Sequence, residues 1–477
     1  MLFNSPIFLF FLIIVALLFY LLPKARMYIL AIANALFYAY AGFSYFVLFF
    51  IVVSSVYFIS KGLQTKWRKL ALASGLTIVL GNLSFFKYSI FLIGNMERLL
   101  GFQFDLSGTI LADRSILLPI GISFYSFQLI AYLIDVYRKQ LQPSRSLLQF
   151  WVFIALFAHS AAGPILRGND FLPQLEAIKK IRPESNRFKL GVTYICLGLI
   201  KKLVIVEYIA PYVNDYYDRA SSLSGVEAWL ASYLFAFQIY FDFSAYSEMA
   251  VGIGLLLGLQ LDLNFRTPYL SANANEFWRR WHITLSQWIR DYIFILLGGS
   301  RVANWRIYFN LIAAMAISGL WHGAAWTFII WGVYHGVLSA GHRMYKIIIK
   351  KCKLEAIWSS RIYHIFAVFI FFQLTVIGWV FFRANTFSEA LLLIKRMLTI
   401  QHVELTPELS HLCIVVICLY ALHIIEAIAV KYFGAVASFW QRRIPAIVRG
   451  AVYAILATVI LSYLVHSEGS SFIYFQF

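Results

Sequence analysis

The stretch PIFLFFLIIVALLFYLL, residues 6 to 22, runs its whole length without a charge, and similar runs recur almost to the end of the chain. Backbone N–H and C=O groups in hydrocarbon must pair within their own segment, so such runs commit a chain to membrane helices. Others lie near residues 27–43, 44–60, 70–93, 115–137, 190–210, 227–258, 305–320, 324–345, 360–382, 410–430 and 449–466. That is about a dozen, several of them shorter than the ~20 residues of a full span. Of 477 residues, 61% are hydrophobic and 13% charged, roughly half the charged share of a soluble domain. The sequence predicts an all-α polytopic membrane protein. Its first run has no basic flank before it and no small-residue cleavage site after it, so it reads as a retained helix.

Forty Lys and Arg against twenty-two Asp and Glu give a net charge of +18. The basic residues sit in short runs between apolar segments, the pattern of cytoplasmic loops, which argues against a nucleic-acid partner. Lys24 with Arg26, KGLQTKWRK, HRMYKIIIKKCK and QRRIPAIVR are therefore assigned to the cytoplasm. Counting outwards from them puts both termini, and Asp215, Asp218 and Glu227, on the extracytoplasmic side. The segment 147–163 has Arg138, Lys139 and Arg145 before it and Arg167, Lys179, Lys180 and Arg182 after it, so it reads as re-entrant. Cys196, Cys352, Cys413 and Cys418 form no CxxC pair and read as packing residues; no metal site is expected. No fixed-period repeat or Pro/Ser-rich linker divides the chain. We take residues 1–466 as one membrane domain and 467–477 as an extracytoplasmic tail.

The densest polar sequence is NFRTPYLSANANEFWRRWHITLSQWIRDY, residues 264–292. Read as one helix, it carries an interfacial aromatic stripe of Trp278, Trp281, Trp288 and Tyr292, with Arg279, Arg280 and Arg290 as fixed positive charge. Its basic face suits the phosphates of a soluble acyl carrier, or lipid headgroups and water. His282, among apolar neighbours, reads on residues alone as a hydrogen-bonding structural group. A second island, ISGLWHGAAWTFIIWGVYHG at 317–336, places His322 at membrane depth, where a titratable residue is read first as functional. Gly319, Gly323, Ala324 and Ala325 allow backbones or a ligand to come close to it. An imidazole there can accept the proton of an attacking hydroxyl. His335 lies thirteen residues on, almost 20 Å along the axis if the helix is continuous, and reads as structural. In YFDFSAYSEMAVGIGLLLGLQLDLNF, Asp242 and Ser244 either line a polar path or Asp242 pairs with a basic residue on another helix.

Taken together, YFDFSAYSEMAVGIG, LNFRTPYLSANANEFWRRWHITLSQWIRDYIFILLGGSR and SGLWHGAAWTFIIWGVYHG, spanning 240–336, resemble the membrane-bound O-acyltransferases. The likeness is to the bacterial branch of alginate and peptidoglycan O-acetyltransferases and, more distantly, the D-alanine exporter. The opening MLFNSPIFLFFLIIVALLFYLLP and LPIGISFYSFQLIAYLIDVYR extend it over most of the chain. This resemblance implies a ring of about 11–12 tilted transmembrane helices with re-entrant segments around a central tunnel. His322 matches the near-invariant core histidine, and His282 the second signature position. The implied donor is acetyl coenzyme A at the cytoplasmic mouth, near Trp278, Arg279, Arg280 and Trp281. The implied location is the bacterial inner membrane. The chain has no SGNH-type Ser motif, so the resemblance also implies a separate extracytoplasmic SGNH-type O-acetyltransferase.

The chain ends in SSFIYFQF, and FIYFQF resembles the F-x-Y-x-x-F ending of a small partner peptide of the alanine exporter, whose tyrosine is proposed to accept the acyl group. Tyr474 lies eight residues beyond His466, and an extended chain of that length reaches about 26 Å. Tyr474 is thus a candidate acyl relay, flanked by Phe472, Phe475 and Phe477 as anchors, or else an interfacial aromatic residue. Rival functions are transfer of D-alanyl from a carrier protein, a lipid or polysaccharide transporter, and a structural scaffold.

Overall fold

The computed structural model describes residues 1–477 except 110, 112, 114–116, 161, 359, 400–405, 467–471 and 474–477. Among the described residues every regular element is helical. Five helices are long and apolar enough to cross a membrane: Phe43–Gly62, Arg68–Leu100, Arg361–Arg383, Pro407–Lys431 and Ala446–Val465. The pair Pro6–Leu21 and Pro23–Ala41, bent by 111°, makes a sixth if counted as one span. Among the described residues, several of the apolar runs read from sequence form helices shorter or more charged than these. Ile122–Tyr137 has only 16 residues. Gly225–Leu256 is long, with 32 residues, but carries Glu227, Asp242 and Glu248. Leu147–Ala155, in the segment read as re-entrant, has nine residues, about 14 Å of helix against roughly 30 Å of hydrocarbon.

The chain divides into two compact units. One comprises Met1–Leu197 and Tyr246–Leu263, the other Gly198–Ala245 and Asn264–Ile473. The Gly225–Leu256 helix contributes residues to each.

In the first unit, Ser5 caps the opening helix by accepting from the Phe8 N–H (3.3 Å), with Pro6 at the first helical position. At the bend that follows, Arg26 is buried at 2% exposure. Its Nε donates to the Phe19 carbonyl (2.8 Å), and its Nη1 donates to the carbonyls of Ile178 (2.9 Å) and Ile181 (2.8 Å). The guanidinium also lies 4.8 Å from the centre of the Phe19 ring. Read from sequence as a loop cation, Arg26 instead takes up a carbonyl left open at the end of the first helix and two from the short turn at residues 178–181.

The second unit is organised by a helical hairpin, Asn304–His322 and Trp326–Lys351. Glycines set the separation of its arms. A Cβ on Gly319 would stand 2.1 Å from the Phe328 carbonyl oxygen, one on Gly332 2.2 Å from that of Met315, and one on Gly336 2.6 Å from Ile312 Cα. Only hydrogen fits at these points, so the two backbones touch. Residues 323–325 separate the arms, so the continuous helix that would have put His335 far from His322 does not form. Replacing Gly332 with Val is expected to destabilise the protein by about 1–3 kcal/mol through overpacking. Gly434→Ala, at a position open to space within 4 Å, serves as the neutral control. Thermal unfolding of the detergent-purified variants measures the difference.

Candidate active site

His322 is the last residue of the Asn304–His322 helix, and the hairpin turn begins directly after it. The carbonyl end of that helix carries partial negative charge, which stabilises the cation an imidazole becomes when it takes a proton. Gly323 follows because a Cβ there would stand 2.1 Å from the Phe328 ring.

His282 is placed by a different device. Its φ of 43° is left-handed, a conformation that costs an ordinary residue about 1–2 kcal/mol. It lies four residues beyond the Ala274–Trp278 helix and caps the N-terminus of the Ile283–Ile289 helix. Asn264, fully buried, holds the break. Its side-chain oxygen accepts from the Thr284 N–H (3.2 Å) and hydroxyl (2.7 Å), and its backbone carbonyl accepts from the Ile283 N–H (3.0 Å). The Arg266 N–H donates to the Arg280 carbonyl at 2.9 Å. Burial lowers the His282 pKa to about 3, so its ring is neutral at physiological pH.

This break corrects the reading of residues 264–292 as one interfacial helix with an aromatic stripe. Trp281, Trp288 and Tyr292 are buried at 0%, 4% and 4% exposure. The left-handed turn redirects them from the bilayer interface into the interior. The expected basic face is also reduced. Arg280 pairs with Glu276 (2.5 Å) and Arg290 with Asp291 (2.7 Å), while Arg279 is exposed.

The structure brings the two signature histidines onto one ring. The Trp321 indole lies 6.0 Å from the His282 ring centre and 4.8 Å from that of His322. Both imidazoles are buried, at 0% and 4% exposure. Beyond them, His322 meets Trp331 edge-on at 5.0 Å, Trp331 meets His335 at 5.0 Å and Trp379 at 5.7 Å, and Trp379 meets Trp281 at 4.8 Å. Trp278 packs against both Trp331 (5.9 Å) and His335 (5.2 Å). Thus Trp278 and Trp281, read from sequence as donor-binding residues, belong to the same aromatic cluster as the histidines. Within it, the indole N–H groups of Trp278, Trp281, Trp331 and Trp379 are buried and have no hydrogen-bond partner among the described residues. No group of three His, Cys, Asp or Glu residues able to hold a metal occurs among the described residues.

The model of the membrane-bound O-acyltransferase family matches residues 3–383. The chain belongs to that family. This acyltransferase is 39% identical over 399 residues to a protein of Azotobacter vinelandii described as a probable alginate O-acetylase, covering 82% of this chain and 76% of that one. It is 34% identical over 441 residues to the peptidoglycan O-acetyltransferase of Helicobacter pylori, covering 85% and 81%. Similarity to the teichoic acid D-alanyltransferase of Bacillus subtilis is weaker, 28% over 282 residues, covering 57% and 70%. The acyltransferase is accordingly a multi-pass membrane enzyme.

Two groups of functional interest went unread in the sequence. Lys201 and Lys202 interrupt the run ICLGLIKKLVIV, and Glu426 interrupts ALHIIEAIAV. Charges inside apolar runs are costly and would have flagged all three. Glu426 receives Lys201 Nζ (2.6 Å) and the Tyr240 hydroxyl (2.6 Å), and lies 3.3 Å from His423 Nδ1. Asp242 pairs with Lys202 on another helical segment at 2.7 Å, one of the two roles open to it from sequence. Tyr474 lies outside the described residues.

Asn264→Ala is expected to leave the buried Thr284 hydroxyl and amide without their acceptor, at a cost of about 1–3 kcal/mol. A lowered unfolding temperature together with reduced acyl transfer, both measured on purified enzyme, is the expected result.

Proposed function

We propose that this acyltransferase is a membrane O-acetyltransferase of the bacterial inner membrane. It takes acetyl from cytoplasmic acetyl coenzyme A and moves it across the membrane for O-acetylation of an extracytoplasmic polysaccharide, through a separate SGNH-type transferase. The observation that carries this reading is the convergence of His282 and His322 on Trp321 in a buried aromatic cluster. Relatives named as an alginate O-acetylase and a peptidoglycan O-acetyltransferase support acetyl and polysaccharide. The lower identity and coverage of the D-alanyltransferase relative favour acetyl over D-alanyl.

In this mechanism an acceptor hydroxyl attacks the thioester carbonyl. A C–O bond forms and the C–S bond breaks. The hydroxyl proton passes to His322 and from there to the departing sulfur, so proton and charge balance. His282, neutral and held by the Asn264 clamp, positions the thioester or its carbonyl. The four unpartnered indole N–H groups fit the acceptor-rich amide and thioester carbonyls of the donor arm. Dense aromatic packing keeps water from the thioester, and so limits hydrolysis. Tyr474 is the acceptor hydroxyl in the fuller form of the reading. Its phenyl ester retains enough transfer potential to pass acetyl onward to a serine.

Replacing His322 with Ala should lower acetyl transfer from labelled acetyl coenzyme A by about 10²–10⁴-fold, the usual contribution of a general base. Normal transfer by the folded variant refutes the assignment, and loss of transfer speaks against the transporter and scaffold readings. Tyr474→Phe should abolish polysaccharide acetylation while the protein stays folded; normal acetylation refutes the relay. Trp331→Phe keeps an aromatic side chain, though a smaller one, and removes the N–H, and is expected to raise KM for acetyl coenzyme A about fivefold.

A further inference from the structure

Lys201 and Lys202 both lie in a π-helical turn, Lys201–Val206. Both are buried, at 9% and 2% exposure. Turns of this type recur at functional sites, and buried ion pairs at membrane depth are read first as functional. The Lys202–Asp242 pair does more than neutralise itself. Lys202 Nζ donates to Asp242 Oδ1 at 2.7 Å, while Asp242 Oδ2 accepts the backbone N–H of Ile473 at 2.5 Å. The same ammonium stands 4.6 Å from the centre of the Phe472 ring. Phe472 and Ile473 are 1% and 6% exposed. A segment four residues from the C-terminus is therefore seated on a charge pair inside the unit. On the same helix, the residue after Asp242 leads to the reaction site, since the Phe243 ring meets His282 edge-on at 4.7 Å.

We propose that Lys202 and Asp242 form a dock for the chain's own C-terminal segment and act as positioning residues for acyl transfer. Asp242 fixes the backbone through the Ile473 amide. Lys202 pairs with the aspartate and grips the Phe472 ring by a cation–π contact. Together they hold Phe472 and Ile473 in one position against the charge pair. The docking stands on the described contacts alone; its part in transfer rests on the reading of Tyr474 as acceptor.

Hydrogen–deuterium exchange of the full-length enzyme, followed by mass spectrometry of the C-terminal peptide, tests the dock. In the unaltered protein the Ile473 amide should exchange slowly. Asp242→Asn and Phe472→Ala should each speed that exchange about tenfold or more, the factor expected from losing one contact with a charged group. Phe472→Ala alters only the tail, so it remains informative if Asp242→Asn does not fold. Free exchange at Ile473 in the unaltered protein overturns the dock. So does unchanged exchange in either variant when its unfolding temperature matches that of the unaltered protein. Acetyl transfer is measured on the same samples. Faster exchange with undiminished transfer overturns the positioning role while the dock stands; the Tyr474 reading falls only if the Tyr474→Phe variant acetylates normally.

Discussion

The near contact of the Asn304–His322 and Trp326–Lys351 backbones, with no room for a Cβ at Gly319, Gly332 or Gly336, sets the position of almost everything chemical in the second unit. Glycine gives the hairpin no side-chain packing of its own at these points and loses more conformational entropy than other residues on folding. What it gains is proximity. The turn that closes the hairpin starts at His322, so the imidazole cannot slide along the axis without prising the two backbones apart. Trp331, one turn before His335 on the returning arm, then has a fixed histidine to pack against.

Around that fixed point the enzyme keeps its buried ion pairs apart from the buried imidazoles of His282 and His322. His282 is neutral because it is surrounded by rings. Different faces of the Gly225–Leu256 helix meet these groups: Tyr240 turns to Glu426, Asp242 to Lys202, and Phe243 to His282. Three residues within one turn thus serve an ion pair, a tail and an imidazole, because successive positions on a helix point 100° apart.

Membrane class and helical architecture were legible in the sequence, since long apolar runs leave few alternatives, whereas the two histidines stood out through the resemblance of the motifs around them. The path of residues 264–292 was hidden. A helical period fits its tryptophans equally well whether they face lipid or protein, and nothing local announces that His282 adopts a left-handed backbone. The Asn264 clamp that decides it acts across about twenty residues. The pairing of Lys202 with Asp242 was hidden for the same reason. Each charge is visible in its own run, but a contact over forty positions leaves no local trace.

The π-turn at Lys201 has a geometric consequence for the helix beyond it. Such a turn is one extra residue inserted into an α-helix, and it advances the phase of everything downstream. Deleting any one residue between Leu203 and Val206 would restore a regular spiral and rotate the Glu207–Asp218 helix against both lysines at once. Either the cations would leave their carboxylates or that helix would present a different face to its neighbours. The insertion therefore acts as a phase lock between the interior charges and the segment that follows them.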